Sequence, residues 1–269
     1  MIKINGEIIN LDNYPDGTML VKYDKENHNN IKITWLYESD KELFALICLT
    51  KHLKGTNNKI HLDMPYIPNA RMDRSRSSED VFTLKYFAEV INWLNFDSVT
   101  VLDPHSSVSE ALINNIIIRH PDKYVWEAIN NIKKSYEDET DNFILFFPDE
   151  GSMKRYATRF NLPYAFGVKQ RDWKTGVING LDVAGMTDLI KDSNILIVDD
   201  ICSKGGTFYY SAKKLKELGA KDIYLYVSHC ENTILEGNVL NSGLVEKVYT
   251  TNSIFTKEHE KITVMNTNF

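Results

Sequence analysis

Four consecutive apolar residues, Ile195, Leu196, Ile197 and Val198, run into two acids, Asp199 and Asp200, and then into Ser203-Lys204-Gly205-Gly206-Thr207, where a helical period begins. An apolar run without alternation is the pattern of a strand buried on both faces, as in a parallel sheet covered by helices. A tight loop that ends such a strand and opens a helix gathers unpaired backbone N–H groups and the positive end of the helix dipole at one spot, which suits a phosphate. Gly205 and Gly206 carry no Cβ, so the backbone there can approach a ligand closely. Asp199 and Asp200 fall, on this reading, at the carboxyl end of the strand, where open α/β sheets place their ligands. Paired carboxylates at that point can hold sugar hydroxyls or a magnesium ion. A lone Gly-Gly-Thr is an ordinary turn; joined to a buried strand and a doubled acid, it predicts a site for a phosphorylated sugar.

The remainder of the chain, 269 residues in all, is long enough for two domains and alternates between the two periods. Short strands are predicted at residues 2–4, 7–9, 19–21 and 31–36, with a turn at 13–17. Ser39-x-x-Glu42 reads as a capping box for a helix with Leu43, Leu46, Ile47 and Leu53 on one face. A strand at 59–64 and a polar loop at 68–78 follow. Ser77-x-x-Asp80 then caps a helix burying Val81, Leu84, Ala88, Ile91 and Leu94, and a strand follows at 98–102. Helical pieces at 108–115 and 121–136 lead to an acidic linker, 137–141. The second half reads as strands at 143–147, 164–168, 195–198 and 223–228, with a polar loop at 169–176 and a helix from 207 that stops at Gly219. The tail from 245 is strand-like and assignable to either domain. The pattern predicts two α/β domains, 1–136 and 142–269, each with a mainly parallel sheet flanked by helices.

A net charge of -6 argues against a nucleic-acid backbone as the main partner. No run of 18 apolar residues and no apolar stretch near the start occurs, so the expectation is a cytoplasmic protein with no membrane partner. Cys48, Cys202 and Cys230 show no metal-ligand spacing and read as reduced thiols.

Five further loops belong with the first. Each is unremarkable alone: Tyr14-Pro15-Asp16-Gly17 is a turn, Asn69 to Arg74 a charged loop, Asp103-Pro104-His105 a strand end with an imidazole, Pro148 to Ser152 a helix cap, and Lys169 to Trp173 an exposed charge run. Arg71 and Arg74 do set two guanidinium forks close together, a geometry suited to phosphate oxygens. In their order and spacing the six loops resemble the ribose-phosphate diphosphokinase (PRPP synthetase) family along nearly the whole chain. Its Phe-x-Asp-Gly-Glu is similar to Tyr14 to Thr18, with Thr18 for the glutamate. Its Tyr-Ala-Arg-Gln-Asp-Arg is similar to Asn69 to Arg74, with Met72 for the glutamine, and its Asp-Leu-His to Asp103-Pro104-His105. Its Pro-Asp-Ala-Gly-Gly is similar to Pro148 to Ser152, the Lys-x-Arg of its catalytic loop to Lys169 and Arg171, and a Ser-His after the last core strand to Ser228-His229. Ser203 and Lys204 stand where the family's two-acid signature continues with Asp and Thr. The Gly-Phe-Phe segment expected after the first histidine is missing, and the chain is shorter than typical members.

The resemblance implies two phosphoribosyltransferase-like domains and ATP bound by Asp16, Gly17, Thr18, Arg71, Met72, Asp73 and Arg74, the first three reaching it from a neighbouring copy in a homo-oligomer. It implies magnesium held by His105 and Asp149, directly or through water, and catalysis by Lys169 and Arg171. The ribose and its phosphate would be bound by Asp199, Asp200, Ser203, Lys204, Gly205, Gly206 and Thr207. The expected reaction is transfer of a diphosphoryl group from Mg-ATP to the C1 hydroxyl of ribose 5-phosphate. A phosphoribosyltransferase and a non-catalytic regulatory relative are the alternatives. So is the same chemistry on a 5′-extended acceptor such as ADP-ribose, because Ser203 and Lys204 make the loop about two charges more positive than the pattern.

Overall fold

The computed structural model of the chain describes residues 1–24, 30–54, 59–135, 142–171 and 178–269, and the side chains of 169–171 and 178–181 fall outside that description. The expected linker at 137–141 also lies outside it. The described residues form two compact units, Met1–His120 with Asn268–Phe269, and Pro121–Thr267.

The first unit opens with β1 (Ile2–Ile4) and β2 (Glu7–Ile8), then a hairpin of β3 (Leu11–Asn13) and β4 (Met19–Val21). There follow β5 (Asn30–Trp35), α1 (Lys41–Leu53), β6 (Lys59–Asp63), α2 (Thr83–Leu94), β7 (Ser98–Leu102), α3 (Ser107–Leu112) and β8 (Ile116–Arg119). The sheet has the order β2-β1-β5-β6-β7-β8, parallel from β5 to β8 and antiparallel at β1 and β2. Its core joins Ile31, Ile33 and Trp35 of β5 to Leu46, Leu49 and Leu53 of α1 and to Leu84, Phe87, Ala88 and Ile91 of α2.

Both helix caps differ from the expectation. Asp40, not Ser39, is the N-cap of α1, without a side-chain bond. The Glu42 carboxylate is drawn elsewhere: it pairs with the Met1 ammonium and accepts from Trp35 Nε1 at 3.0 Å and from the Glu38 backbone at 2.9 Å. A buried indole N–H needs an acceptor, and that need wins over a capping box. Asp80 accepts from the backbone of Arg76 and Ser77 within the preceding loop, so α2 starts only at Thr83 and Val81 stays 58% exposed. The edge strand β8 was not legible, since three successive isoleucines show no alternation although the strand itself alternates between half-buried and exposed residues.

The second unit contains α4 (Asp122–Lys134), β9 (Phe143–Phe147), α5 (Glu150–Phe160), β10 (Tyr164–Arg171), β11 (Ile178–Gly185), β12 (Asn194–Cys202), α6 (Gly206–Glu217), β13 (Ile223–Cys230), α7 (Asn238–Asn241), β14 (Lys247–Thr251) and β15 (Ile262–Met265). Its sheet runs β11-β10-β9-β12-β13-β14-β15, and only β11 is antiparallel. Helix α6 closes as expected: Gly219, at φ +88°, and Ala220 donate back to Lys216 and Leu215 in a Schellman pair. The boundary between units falls before α4, not after it. The Asp122 carboxylate takes a two-pronged bond from Arg159, Trp126 meets Phe160 edge-on, and Tyr124 donates to the Thr267 carbonyl. Strand β11 was missed because Gly180 and Gly185 weaken its pattern.

Candidate functional site

From β9 the chain moves to β10 on one side, and from β12 to β13 on the other, so the carboxyl ends of β9 and β12 flank the point where strand order reverses. Open α/β sheets bind ligands in that crevice. The loop after β9 carries Asp149, and the loop after β12 carries Ser203, Lys204 and Gly205.

Strand β12 is longer than its apolar run, reaching Cys202, so Asp199 and Asp200 lie inside its last turn of pleat and not beyond its end. Pairing with Val227 and His229 across β13 carries the strand past the acids. Asp200 is buried and pairs with Arg155 Nη1 of α5 at 3.2 Å, a partner that sequence reasoning missed. Asp199 is half-buried. Its carboxyl is pushed well above the usual carboxylate range by burial first, then by the Asp200 charge and a bond to it, with Asp149 adding to the repulsion. A carboxyl raised in the folded state stabilises the fold fully below its unfolded value near 3.8, and that contribution is lost as pH rises through the folded value. Asp199→Asn should therefore raise the unfolding midpoint at neutral pH by about 2–4 °C, the change roughly 1 kcal/mol brings in a chain of this size. Thermal unfolding across pH checks it, since the decline toward high pH should shrink in the variant.

The loop itself is braced from one side. Gly205 is the N-cap of α6 at φ +74°, and a Cβ there would stand 2.6 Å from Val239 Cγ1 of α7. A Cβ on Gly237 would run into the Lys204 carbonyl. Over Gly206, by contrast, the space is open, and both Gly206 and Thr207 are exposed. Ser203 Oγ donates to Glu231 Oε1 at 2.7 Å, and Lys204 Nζ sits 3.3 Å from Glu236. The two-charge surplus read from the loop is thus largely matched by acids from the 231–236 segment. Nothing in its sequence marked that segment, because Glu231 and Glu236 lie in an ordinary polar stretch.

Lys169 and Arg171 belong, by backbone, to β10 and not to a loop: Lys169 is opposite Leu181 and Arg171 opposite Ile178, with an irregularity between Gln170 and Arg171. Their side chains, and residues 172–177 with Gly176, fall outside the description. Ser228 and His229 are buried within β13, not beyond it, where His229 Nδ1 lies 2.8 Å from Ser253 Oγ.

In the first unit, β6 and β7 are neighbours, so the loops after them share one edge. Arg71, Met72, Asp73 and Arg74 follow β6, and His105 follows β7. Asp73 is buried and accepts Arg74 Nε at 2.8 Å and Nη2 at 3.2 Å. These bonds hold its carboxyl below the usual range against desolvation, and the His105 charge helps. One of the two expected phosphate forks is therefore turned onto its neighbour. Asp16 and Thr18 form the β3–β4 turn, Asp16 Oδ1 accepting from the Thr18 N–H at 2.9 Å and hydroxyl at 2.6 Å, with Gly17 at φ +83°. The Thr18 hydroxyl bond, then its backbone bond, lower the Asp16 pKa.

Among the described residues no group of three or more His, Cys, Asp or Glu could by itself hold a metal ion. Magnesium asks for less, since it keeps its waters and takes one or two carboxylates with substrate phosphates. Asp149 caps α5, accepting from Gly151 at 3.0 Å and Ser152 at 3.1 Å, and its charge already reaches Asp199. A carboxylate group short of positive charge fits a hydrated ion.

Residues 124–247 match the family described as phosphoribosyl transferase domain. A ribose-phosphate pyrophosphokinase of Pyrococcus abyssi is 28% identical over 277 aligned positions, covering 98% of this chain and 90% of the relative. One of Sulfurisphaera tokodaii is 25% identical, covering 94% and 86%. The fold is that of a phosphoribosylpyrophosphate synthetase from Mycobacterium smegmatis, with a TM-score of 0.77 at 19% identity over 96% of this chain and 86% of that one. Among the described residues no helix is long and apolar enough to cross a membrane.

Proposed function

We propose, from the membership of this chain in the ribose-phosphate pyrophosphokinase (PRPP synthetase) family, that it transfers the β,γ-diphosphoryl group of ATP to the C1 hydroxyl of ribose 5-phosphate. The observation that carries this reading is the loop 203–207 opening α6 at the strand-order reversal, beside Asp199 and Asp200. The exposed backbone at Gly206 and Thr207, at the positive end of α6, receives the 5-phosphate. Asp199 and Asp200 accept from ribose hydroxyls. The C1 oxygen then attacks the β-phosphorus and its proton passes to water, the bond from that phosphorus to the bridging oxygen of the α-phosphate breaks, and AMP leaves. Lys169 and Arg171 neutralise charge on the transferred group, and Arg71 with its neighbours Met72, Asp73 and Arg74 holds ATP. Asp149 in the second unit and His105 in the first are each a group that would hold magnesium, directly or through water, and the ion would supply further neutralisation of the phosphates. The enzyme acts as a cytoplasmic homo-oligomer in which Asp16, Gly17 and Thr18, exposed at a hairpin tip, reach the ATP of a neighbouring copy. The test is AMP formation from Mg-ATP that depends on ribose 5-phosphate and needs no nucleobase. A requirement for a base would instead mark a phosphoribosyltransferase, and ATP binding without AMP release a regulatory relative.

ADP-ribose as acceptor is the second reading. Lys204 and Glu236 are both about two-thirds exposed, at 68% and 65%, and such pairs are weak enough to exchange for a second phosphate. Lys204→Thr is then expected to lower kcat/KM for ADP-ribose about fivefold relative to ribose 5-phosphate, roughly 1 kcal/mol. An unchanged ratio removes this reading.

A further inference from the structure

The segment 234–240, beyond β13, lies against the backbone of the loop that opens α6. Ile234, Val239 and Leu240 are buried in the core of the second unit, and the Gly237 N–H donates to the Ile234 carbonyl at 3.0 Å, so the segment has little room to give. A Cβ on Gly237 would overlap the Lys204 carbonyl oxygen and stand 2.7 Å from its carbon and 3.1 Å from its Cα. The oxygen is the nearest of the three, so the Lys204 carbonyl points at Gly237. No cis peptide occurs among the described residues, and in a trans peptide the C=O and the N–H that follows it point opposite ways. The Gly205 N–H is therefore aimed away from this segment. Gly205 is buried, and among the described residues no acceptor meets its N–H. A buried N–H without a partner is rare and costly unless a ligand supplies the acceptor.

We propose, resting on the reading of this loop as the sugar-phosphate site, that Gly237 is a positioning residue. By leaving room for the Lys204 carbonyl it turns the Lys204–Gly205 peptide so that the Gly205 N–H donates to the 5-phosphate beside the backbone of Gly206 and Thr207. The carbonyl, whose negative end would repel a phosphate, is turned the other way. Val239 fixes the same peptide, since its Cγ1 stands 2.6 Å from where a Cβ on Gly205 would be. An alanine in place of Gly237 sets a Cβ against backbone, and something has to move. The 234–240 segment is anchored by core side chains, whereas Gly206 and Thr207 are exposed with open space over Gly206, so it is the loop that yields. The Gly205 N–H then loses its line to the phosphate.

The test is calorimetric binding of ribose 5-phosphate in the presence of Mg2+ and a non-hydrolysable ATP analogue. Gly237→Ala should weaken sugar binding about tenfold, the loss of one hydrogen bond to a charged group, and leave the analogue's affinity unchanged. Val239→Ala frees the peptide to tilt without a clash and should weaken sugar binding about threefold, again for the sugar alone. It carries the expectation if Gly237→Ala fails to fold. Asn238→Ala, exposed between the two, should change neither affinity. In the wild type the Gly205 amide hydrogen should exchange more slowly once ribose 5-phosphate is bound. In folded Gly237→Ala that protection should be lost, which a merely structural role for Gly237 would not bring about. Wild-type sugar affinity in folded Gly237→Ala or in Val239→Ala, an equal loss in Asn238→Ala, equal losses for sugar and nucleotide, or a Gly205 amide that the sugar does not protect each overturn the proposal while sparing the sugar-phosphate reading. A wild-type protein that binds no pentose phosphate overturns both.

Discussion

Lys169→Ala should fold, bind ATP nearly as the wild type does, and turn over at least several hundredfold more slowly. Diphosphoryl transfer asks little covalent chemistry of the protein; the barrier is lowered by positioning and by charge that meets the transferring group. Removing one preorganised group of that kind costs on the order of 3–4 kcal/mol of barrier, hence the several hundredfold. The fold should survive because residue 169 contributes to β10 through its backbone, opposite Leu181, and truncation leaves that pairing intact. Steady-state rates with circular dichroism as control decide it. Activity within a fewfold of wild type would remove Lys169 from the reaction.

Arg155→Met should destabilise the second unit by about 3 kcal/mol, because it strips a buried carboxylate of a cation. The Asp200 side chain is 5% exposed, and its neighbour Asp199 is already pushed toward protonation by burial and by that same charge. Without the guanidinium, the mutual repulsion of Asp199, Asp200 and Asp149 is no longer offset by that cation. Arg155 is itself 28% exposed, so water softens the loss and the lower end of the range for buried pairs applies. Adding Asp200→Asn to Arg155→Met should recover most of the stability, since the uncompensated charge is then gone. Thermal unfolding of the two variants measures this directly. A single variant as stable as wild type would mean that Arg155 does not compensate Asp200.

Much of this was legible in the sequence, for physical reasons that differ by element. Residues 99–102 and 143–147 are uniformly apolar or β-branched and bounded by polar or turn residues, and the strands run over the expected 98–102 and 143–147. The loop 203–207 could be placed because an unbroken apolar run has to be an interior strand, and an interior strand has to end at a crevice. What escaped was pairing at long range. Arg155 of α5 reaches Asp200 of β12 across the intervening strands β10 and β11, and Glu231 meets Ser203 from 28 residues away. No local period encodes either. Glu42 makes the same point in reverse: a perfect capping-box spacing yields to a buried indole and a chain terminus that need the carboxylate more. The charge surplus at Lys204 was overstated for that reason as well, because its counter-charge, Glu236, lies beyond the next helix and strand.

The central claim is that the diphosphoryl group leaves ATP as a unit. ATP labelled at the β-phosphorus, incubated with Mg2+ and ribose 5-phosphate, follows that group directly. The account predicts that label passes into a sugar carrying a pyrophosphate at C1, with unlabelled AMP formed in equal amount. Label retained in ADP, or in unreacted ATP while the sugar stays unmodified, would contradict it.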